Sequence, residues 1–123
     1  MWTWWLAVGS TLSAVAIGIG AFGAHAIKGK ISVEDTAIFE TASRYLTTQS
    51  LGIILVALCM SRLDSISLSI AAWCMSIGVV VFSGSLYALI WTGNRGLGAI
   101  TPIGGVLLLV AWLSVAFAAI SAH

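Results

Sequence analysis

Charged residues are scarce in this chain, and their scarcity indicates its class. Five Lys and Arg and four Asp and Glu occur among 123 residues, or 7%, against about 25% in soluble domains. A helix that crosses the roughly 30 Å hydrocarbon core of a bilayer needs about 20 mostly apolar residues. Four stretches near or above that length carry no charge, at 2–26, 45–61, 65–94 and 96–123. The sequence therefore predicts an all-α integral membrane protein, with residues 1–123 forming a single domain.

The chain also has few cysteines and a small net charge, which argue against a disulfide-bonded fold and against nucleic-acid binding. The two cysteines, Cys59 and Cys74, fall at different predicted depths, with Cys74 about 12 Å into its helix at 1.5 Å per residue. A disulfide between them is not expected. The net charge of +1 provides no attraction for nucleic acid. Nearly all of the chain is predicted to lie in the membrane, which leaves no room for a soluble catalytic domain.

Acidic residues are absent from the four apolar stretches. Glu34, Asp35, Glu40 and Asp64 all fall in or beside predicted loops. Ionised side chains buried in the membrane usually mark transport pathways, so this absence argues against transport coupled to an embedded carboxylate. No Ser/His/Asp set, pair of acids or Cys/His cluster can be assembled either. We therefore expect no enzyme, no metal site and no cofactor.

The order of polar and apolar residues predicts five helical segments. An amphipathic stretch at 32–43 is expected to lie at the membrane interface as a separate short helix, because charged and apolar residues alternate in it. Four spanning helices are predicted at about 2–26, 45–61, 66–91 and 101–122.

Helix ends are predicted from capping residues. Ser32 followed by Asp35 resembles a capping box, and Thr101 before Pro102 is typical of an N-cap followed by the first helical residue. Glu40 and Arg44 are spaced i,i+4, which predicts an ion pair.

Small residues are predicted to mediate helix packing. Gly20 and Ala24 follow the four-residue spacing that allows helices to approach closely in lipid, and Gly104 and Gly105 are assigned the same role in the fourth helix. The glycines at 18, 20 and 23 also match G-x-G-x-x-G. That fingerprint binds a dinucleotide only between a strand and a helix, so inside a spanning helix we interpret it as packing.

Polar residues from all four helices are predicted to meet at one membrane face. The antiparallel order brings together His25, Glu40, Arg44, Tyr45, Ser83, Ser85, Tyr87 and Thr101. One interpretation is a site for a small anionic group or a lipid headgroup, since the fourth helix directs free N–H groups there. The other is architecture, with a Glu40–Arg44 ion pair and hydrogen bonds between helices.

Basic residues predict the orientation. Lys28, Lys30, Arg44 and Arg95 lie on the face of this cluster, and Arg62 lies on the other. The positive-inside rule therefore places both termini outside the cell and the polar face inside.

Four sequence blocks resemble a known family. They read GAFGAHA at 20–26, FETASRY at 39–45, FSGSLY at 82–87 and LGAITPIGG at 97–105. In this order they resemble the DUF423 family of small bacterial inner-membrane proteins with four helices. The resemblance implies the fold and the inner membrane, but no established activity. Members of the family often carry a His where this chain has Gln49, and this difference weakens a metal hypothesis.

Two functional hypotheses follow. The first is a non-enzymatic membrane protein that packs with membrane lipid, with copies of itself or with another membrane protein. The second is a carrier or channel for a small solute that uses the polar cluster. A polar cavity that reaches the middle of the bilayer favours transport, whereas a filled core favours interaction.

Overall fold

Four long helices form the protein, and each is long and apolar enough to cross a membrane. The computed structural model describes residues 2–122, all of which lie in helices or in the short connections between them. The predicted all-α membrane fold is therefore confirmed. A 3₁₀ helix, Arg95–Ala99, precedes the last long helix. The four helices are α1 (Trp2–Ile27), α2 (Val33–Met60), α3 (Ile66–Thr92) and α4 (Thr101–Ser121).

The prediction of a separate interfacial helix at 32–43 is wrong. Helix α2 runs without interruption from Val33 to Met60, a length of about 42 Å at 1.5 Å per residue. Its start is where the sequence predicts it, because the Ser32 hydroxyl accepts a hydrogen bond from the Asp35 N–H at 3.0 Å. No Gly or Pro interrupts 33–51, and extending a helix is easier than nucleating a second one. The amphipathic stretch is therefore the polar end of a spanning helix.

The start of α4 also differs from the prediction. Thr101 is the first residue of the helix and not its N-cap, and Ile100 precedes it without a capping hydrogen bond from a side chain. The Thr101 hydroxyl instead lies 2.6 Å from the hydroxyl of Ser85 on α3. At the end of α3, Gly93 takes the left-handed conformation with φ of 73°, which a residue with a side chain rarely adopts.

A π-helical turn interrupts α1 near its end. It covers Ile19–Gly23, and the N–H of Ala24 bonds to the carbonyl of Ile19, five residues earlier. The G-x-G-x-x-G glycines lie in and beside this turn, inside a helix as predicted. A π turn contains one extra residue, which rotates the following side chains by about 100° around the helix axis. The turn therefore changes the face that the end of α1 presents to α2.

The core lies between α2 and α3, with α1 packed on α2 and α4 packed on α3. Ile53, Met75 and Val79 are fully buried at 0% exposure and fill the centre of the bundle. The backbones of α3 and α4 approach closely at two glycines. A Cβ atom on Gly104 would lie 2.7 Å from the carbonyl oxygen of Gly78 and 2.5 Å from the backbone nitrogen of Phe82.

Candidate functional site

One end of the bundle carries most of the charge, and we call it the polar end. It contains the connection between α1 and α2 at 28–32 and the connection between α3 and α4 at 93–100. The predicted cluster residues all belong to the helix ends that meet there. The structure brings some of them into contact across helices and leaves others exposed.

Hydrogen bonds from α3 to α2 organise the centre of the polar end. The Ser83 hydroxyl donates to the carbonyl of Ala42 at 2.8 Å, and the Tyr87 and Ser43 hydroxyls lie 2.8 Å apart. The Tyr87 ring also packs against Phe39 of α2 with centroids 5.6 Å apart. Ser83 and Tyr87 therefore join α3 to α2.

A second contact joins α3 to α4. The Ser85 hydroxyl donates to the carbonyl of Phe82 at 2.9 Å, and it lies 2.6 Å from the Thr101 hydroxyl. Since a hydroxyl has one proton, Thr101 is the donor in the bond between them. Both side chains are buried, so this pair satisfies polar groups that would otherwise be costly inside an apolar bundle. Ser85 and Thr101 thus have a structural role here.

The ion pair at the polar end is not the predicted one. Within residues 2–122 the salt bridge joins Nη1 of Arg95 to Oδ1 of Asp35 at 2.9 Å, whereas Glu40 and Arg44 are both exposed and do not pair. An exposed i,i+4 pair gains only about 0.3–0.5 kcal/mol, which does not hold two long side chains together. Oδ1 of Asp35 is buried, so it gains more from a cationic partner.

A groove of about 380 Å³ lies between the end of α1 and the start of α2, and we call it the polar groove. A Cβ atom on Gly20 would meet nothing within 4 Å, so Gly20 borders open space. The prediction that Gly20 mediates contact between helices is wrong. Ala24 borders the same groove and is exposed. The full lining is Gly20, Ala24, Ile27, Lys28, Gly29, Thr36, Phe39, Glu40 and Ser43.

A second groove lies on the other side of Phe39, between α1 and α3, and we call it the apolar groove. Its volume is also about 380 Å³, and the polar side-chain atoms among its lining residues are the Tyr87 hydroxyl and the Trp91 indole nitrogen. The two grooves are separated by the contact between Gly23 and Phe39, where a Cβ on Gly23 would lie 3.4 Å from the ring. The lining is Ile19, Gly23, Ala26, Ile27, Phe39, Tyr87, Ile90 and Trp91.

The remaining predicted residues lie outside these grooves. His25 is exposed near the end of α1. Tyr45 packs on Phe82 of α3 with centroids 4.3 Å apart. Gly105 makes only ordinary contact with Phe82, at 3.9 Å from its Cβ position. Among residues 2–122, no three His, Cys, Asp or Glu side chains are placed to hold a metal ion.

The sequence reasoning missed the groove-facing side of α2. Thr36, Phe39, Glu40 and Ser43 are spaced i, i+3, i+4 and i+7, which is one face of a helix. The sequence shows this spacing, but the predicted interfacial helix at 32–43 would turn its polar face to water. That prediction therefore assigns Thr36, Glu40 and Ser43 to an exposed surface and not to a groove.

Comparison with known proteins identifies the family of this chain. The family model described as "Protein of unknown function (DUF423)" matches residues 19–105. The chain belongs to the DUF423 family. The match begins at the π-helical turn and includes both grooves of this DUF423 protein.

Curated relatives cover almost the whole chain. A UPF0382 membrane protein of Staphylococcus epidermidis is 45% identical over 106 residues, which are 86% of each chain. The UPF0382 membrane protein YwdK of Bacillus subtilis is 40% identical over 114 residues, covering 92% of this chain and 93% of YwdK. No solved structure matches.

Gln49 links two helices of this DUF423 protein. Oε1 of Gln49 accepts a hydrogen bond from Nε1 of Trp112 at 2.8 Å, which links α2 to α4. A glutamine amide can accept this bond and still has donors to offer. The side chain at this position therefore contributes to contact between helices.

Proposed function

We propose that this DUF423 protein is a non-enzymatic protein of the bacterial cytoplasmic membrane that binds membrane lipid at its polar end. The observation that carries the proposal is the contrast between a filled centre and open grooves at the edge. Ile53, Met75 and Val79 occupy the centre, where a path for a solute would have to run. The filled centre gives the carrier hypothesis no support.

The α2 wall of the polar groove lies beyond the charge-free stretch of that helix, where lipid headgroups are expected. The charge-free stretch of α2 begins at Tyr45, and the α2 residues of the polar groove, Thr36 to Ser43, precede it. Helix α2 is about 42 Å long, against a hydrocarbon core of roughly 30 Å, so part of it extends into the headgroup region. A lipid bound there keeps its headgroup in the polar groove and its acyl chains in the bilayer.

The orientation is part of the proposal. Four of the five Lys and Arg residues lie at the polar end, so we place that end in the cytoplasm and both termini outside. The test uses single cysteines at Lys30 and Arg62, with Cys59 and Cys74 replaced by Ala. A membrane-impermeant maleimide added to intact spheroplasts should label position 62 and not position 30. The reverse pattern would overturn the orientation.

Lipid retention tests the function. The full chain is purified in mild detergent, and phospholipid per chain is counted by mass spectrometry after repeated washing. We expect about one retained phospholipid per chain, and its loss in Gly20→Leu, whose side chain enters the polar groove. Gly84→Leu is the matched control, because Gly84 also has nothing within 4 Å of its Cβ position but lines neither groove. Equal retention by both variants, or no retention by the native chain, contradicts the proposal.

A further inference from the structure

The polar groove carries one cation and one anion on opposite walls. Lys28 follows the last residue of α1, and Glu40 lies on α2. The salt bridge within residues 2–122 is formed by Arg95 and Asp35, so neither Lys28 nor Glu40 belongs to an ion pair. Both charges are therefore available to a ligand in the groove.

The other polar side chains of the groove already have partners in the protein. The Thr36 hydroxyl donates to the carbonyl of Ser32 at 2.9 Å, and the Ser43 hydroxyl is paired with Tyr87 at 2.8 Å. The rest of the lining is aliphatic, aromatic or glycine. Lys28 and Glu40 are thus the two lining groups that determine which headgroup charge fits.

We propose that the ligand of the polar groove is a zwitterionic phospholipid with a primary ammonium headgroup, whose phosphate meets Lys28 and whose ammonium meets Glu40. This rests on the proposed function, and it names the lipid class. A phospholipid with net negative charge would face repulsion from Glu40. A quaternary ammonium has no N–H to donate to the carboxylate, and charge-assisted hydrogen bonds are the stronger ones.

The shape of the groove agrees with a headgroup as occupant. A volume of about 380 Å³ lies near the lower end of the roughly 300–1,000 Å³ usual for ligand pockets. The missing side chain of Gly20 leaves its inner end open, about 12 Å along α1 from Lys28. Acyl chains can therefore leave the groove past Gly20 toward the bilayer.

The test compares three phospholipids with identical acyl chains by native mass spectrometry of the full, delipidated chain. They are phosphatidylethanolamine, phosphatidylcholine and phosphatidylglycerol. We expect phosphatidylethanolamine to bind about tenfold more tightly than phosphatidylcholine, which is the effect of one charge-assisted hydrogen bond. Phosphatidylglycerol should bind more weakly than phosphatidylethanolamine as well.

Matched variants assign the preference to the two charges. Glu40→Gln should bind phosphatidylethanolamine and phosphatidylcholine equally, whereas Glu34→Gln, an exposed acid outside the groove, should keep the preference. Lys28→Met should weaken the binding of both lipids to a similar extent, whereas Lys30→Met should leave their binding unchanged. Thermal unfolding in detergent checks that each variant is folded.

The outcomes separate this inference from the proposed function. If the three lipids bind equally and Gly20→Leu abolishes all binding, the groove binds lipid but the headgroup assignment is overturned. A preference for phosphatidylglycerol, or a preference for phosphatidylethanolamine that survives Glu40→Gln, overturns it too. If no lipid binds the native chain, the proposed function fails first.

Discussion

Glycines occur both where α3 contacts α4 and in the polar groove between α1 and α2, but for different reasons. At Gly104 a Cβ atom would lie 2.5 Å from backbone, whereas at Gly20 it would meet nothing within 4 Å. In the first region glycine allows two backbones to touch. In the second it leaves a groove open. Small residues in apolar helices therefore indicate either close packing or vacant space, and spacing alone does not distinguish them.

The largest effect is expected at the close contact. Gly104→Ala places a methyl group against the backbone of Phe82 and Gly78, which cannot move as a side chain end can. We expect a loss of about 3 kcal/mol or failure to fold, at the upper end of overpacking effects. The neighbouring Gly105→Ala is the control, because its Cβ position is 3.9 Å from the Phe82 ring. Reversible unfolding in mixed micelles gives both values, and equal values would contradict the close contact.

A smaller loss of unfolding free energy is expected when the ion pair that links α2 to the connection between α3 and α4 is removed. Arg95→Ala leaves the buried Oδ1 of Asp35 without its cation, and we expect a loss of about 1 kcal/mol. Arg44→Ala should have almost no effect, because Arg44 is exposed and its predicted pair with Glu40 is not formed. Equal unfolding free energies for the two variants would remove the distinction between these arginines.

A hydrogen bond between helices should contribute about as much to the unfolding free energy as the Arg95–Asp35 ion pair. Ser83→Ala removes the donor to the Ala42 carbonyl, which we expect to cost about 1 kcal/mol in unfolding free energy. Ser114→Ala is the control, since the Ser114 hydroxyl bonds only to Val110 of its own helix. If the control is as destabilising as Ser83→Ala, the bond to α2 does not contribute to joining the helices.

The smallest effect on stability is expected at Gly20 in the polar groove. Gly20→Leu should leave the unfolding free energy unchanged or raise it by up to about 1 kcal/mol, because leucine favours the helix more than glycine and its Cβ position has no neighbour within 4 Å. The same unfolding assay applies, with Gly84→Leu beside it. If Gly20→Leu lowers the unfolding free energy as much as Gly104→Ala does, both glycines are packing positions. That result would contradict the difference between the two regions.

Much of the architecture was predictable from individual residues. The distribution of nine charges locates the four spans, and Ser32 with Asp35 marks the start of α2. The continuity of α2 through Arg44 was not predicted, because a charged residue inside a long helix looks like a boundary in sequence. The pairing of Asp35 with Arg95 joins residues 60 positions apart, so no local spacing rule could find it.

The membrane class follows from composition because transfer of a helix into lipid depends on the sum of its own residues, and that sum is local. The contacts between helices depend instead on how each helix is rotated and tilted against its neighbours. In lipid no hydrophobic drive between helices sets these angles, and detailed packing does. The rotation of the end of α1 after its π turn, and the polar groove that borders it, are therefore properties of the assembled bundle.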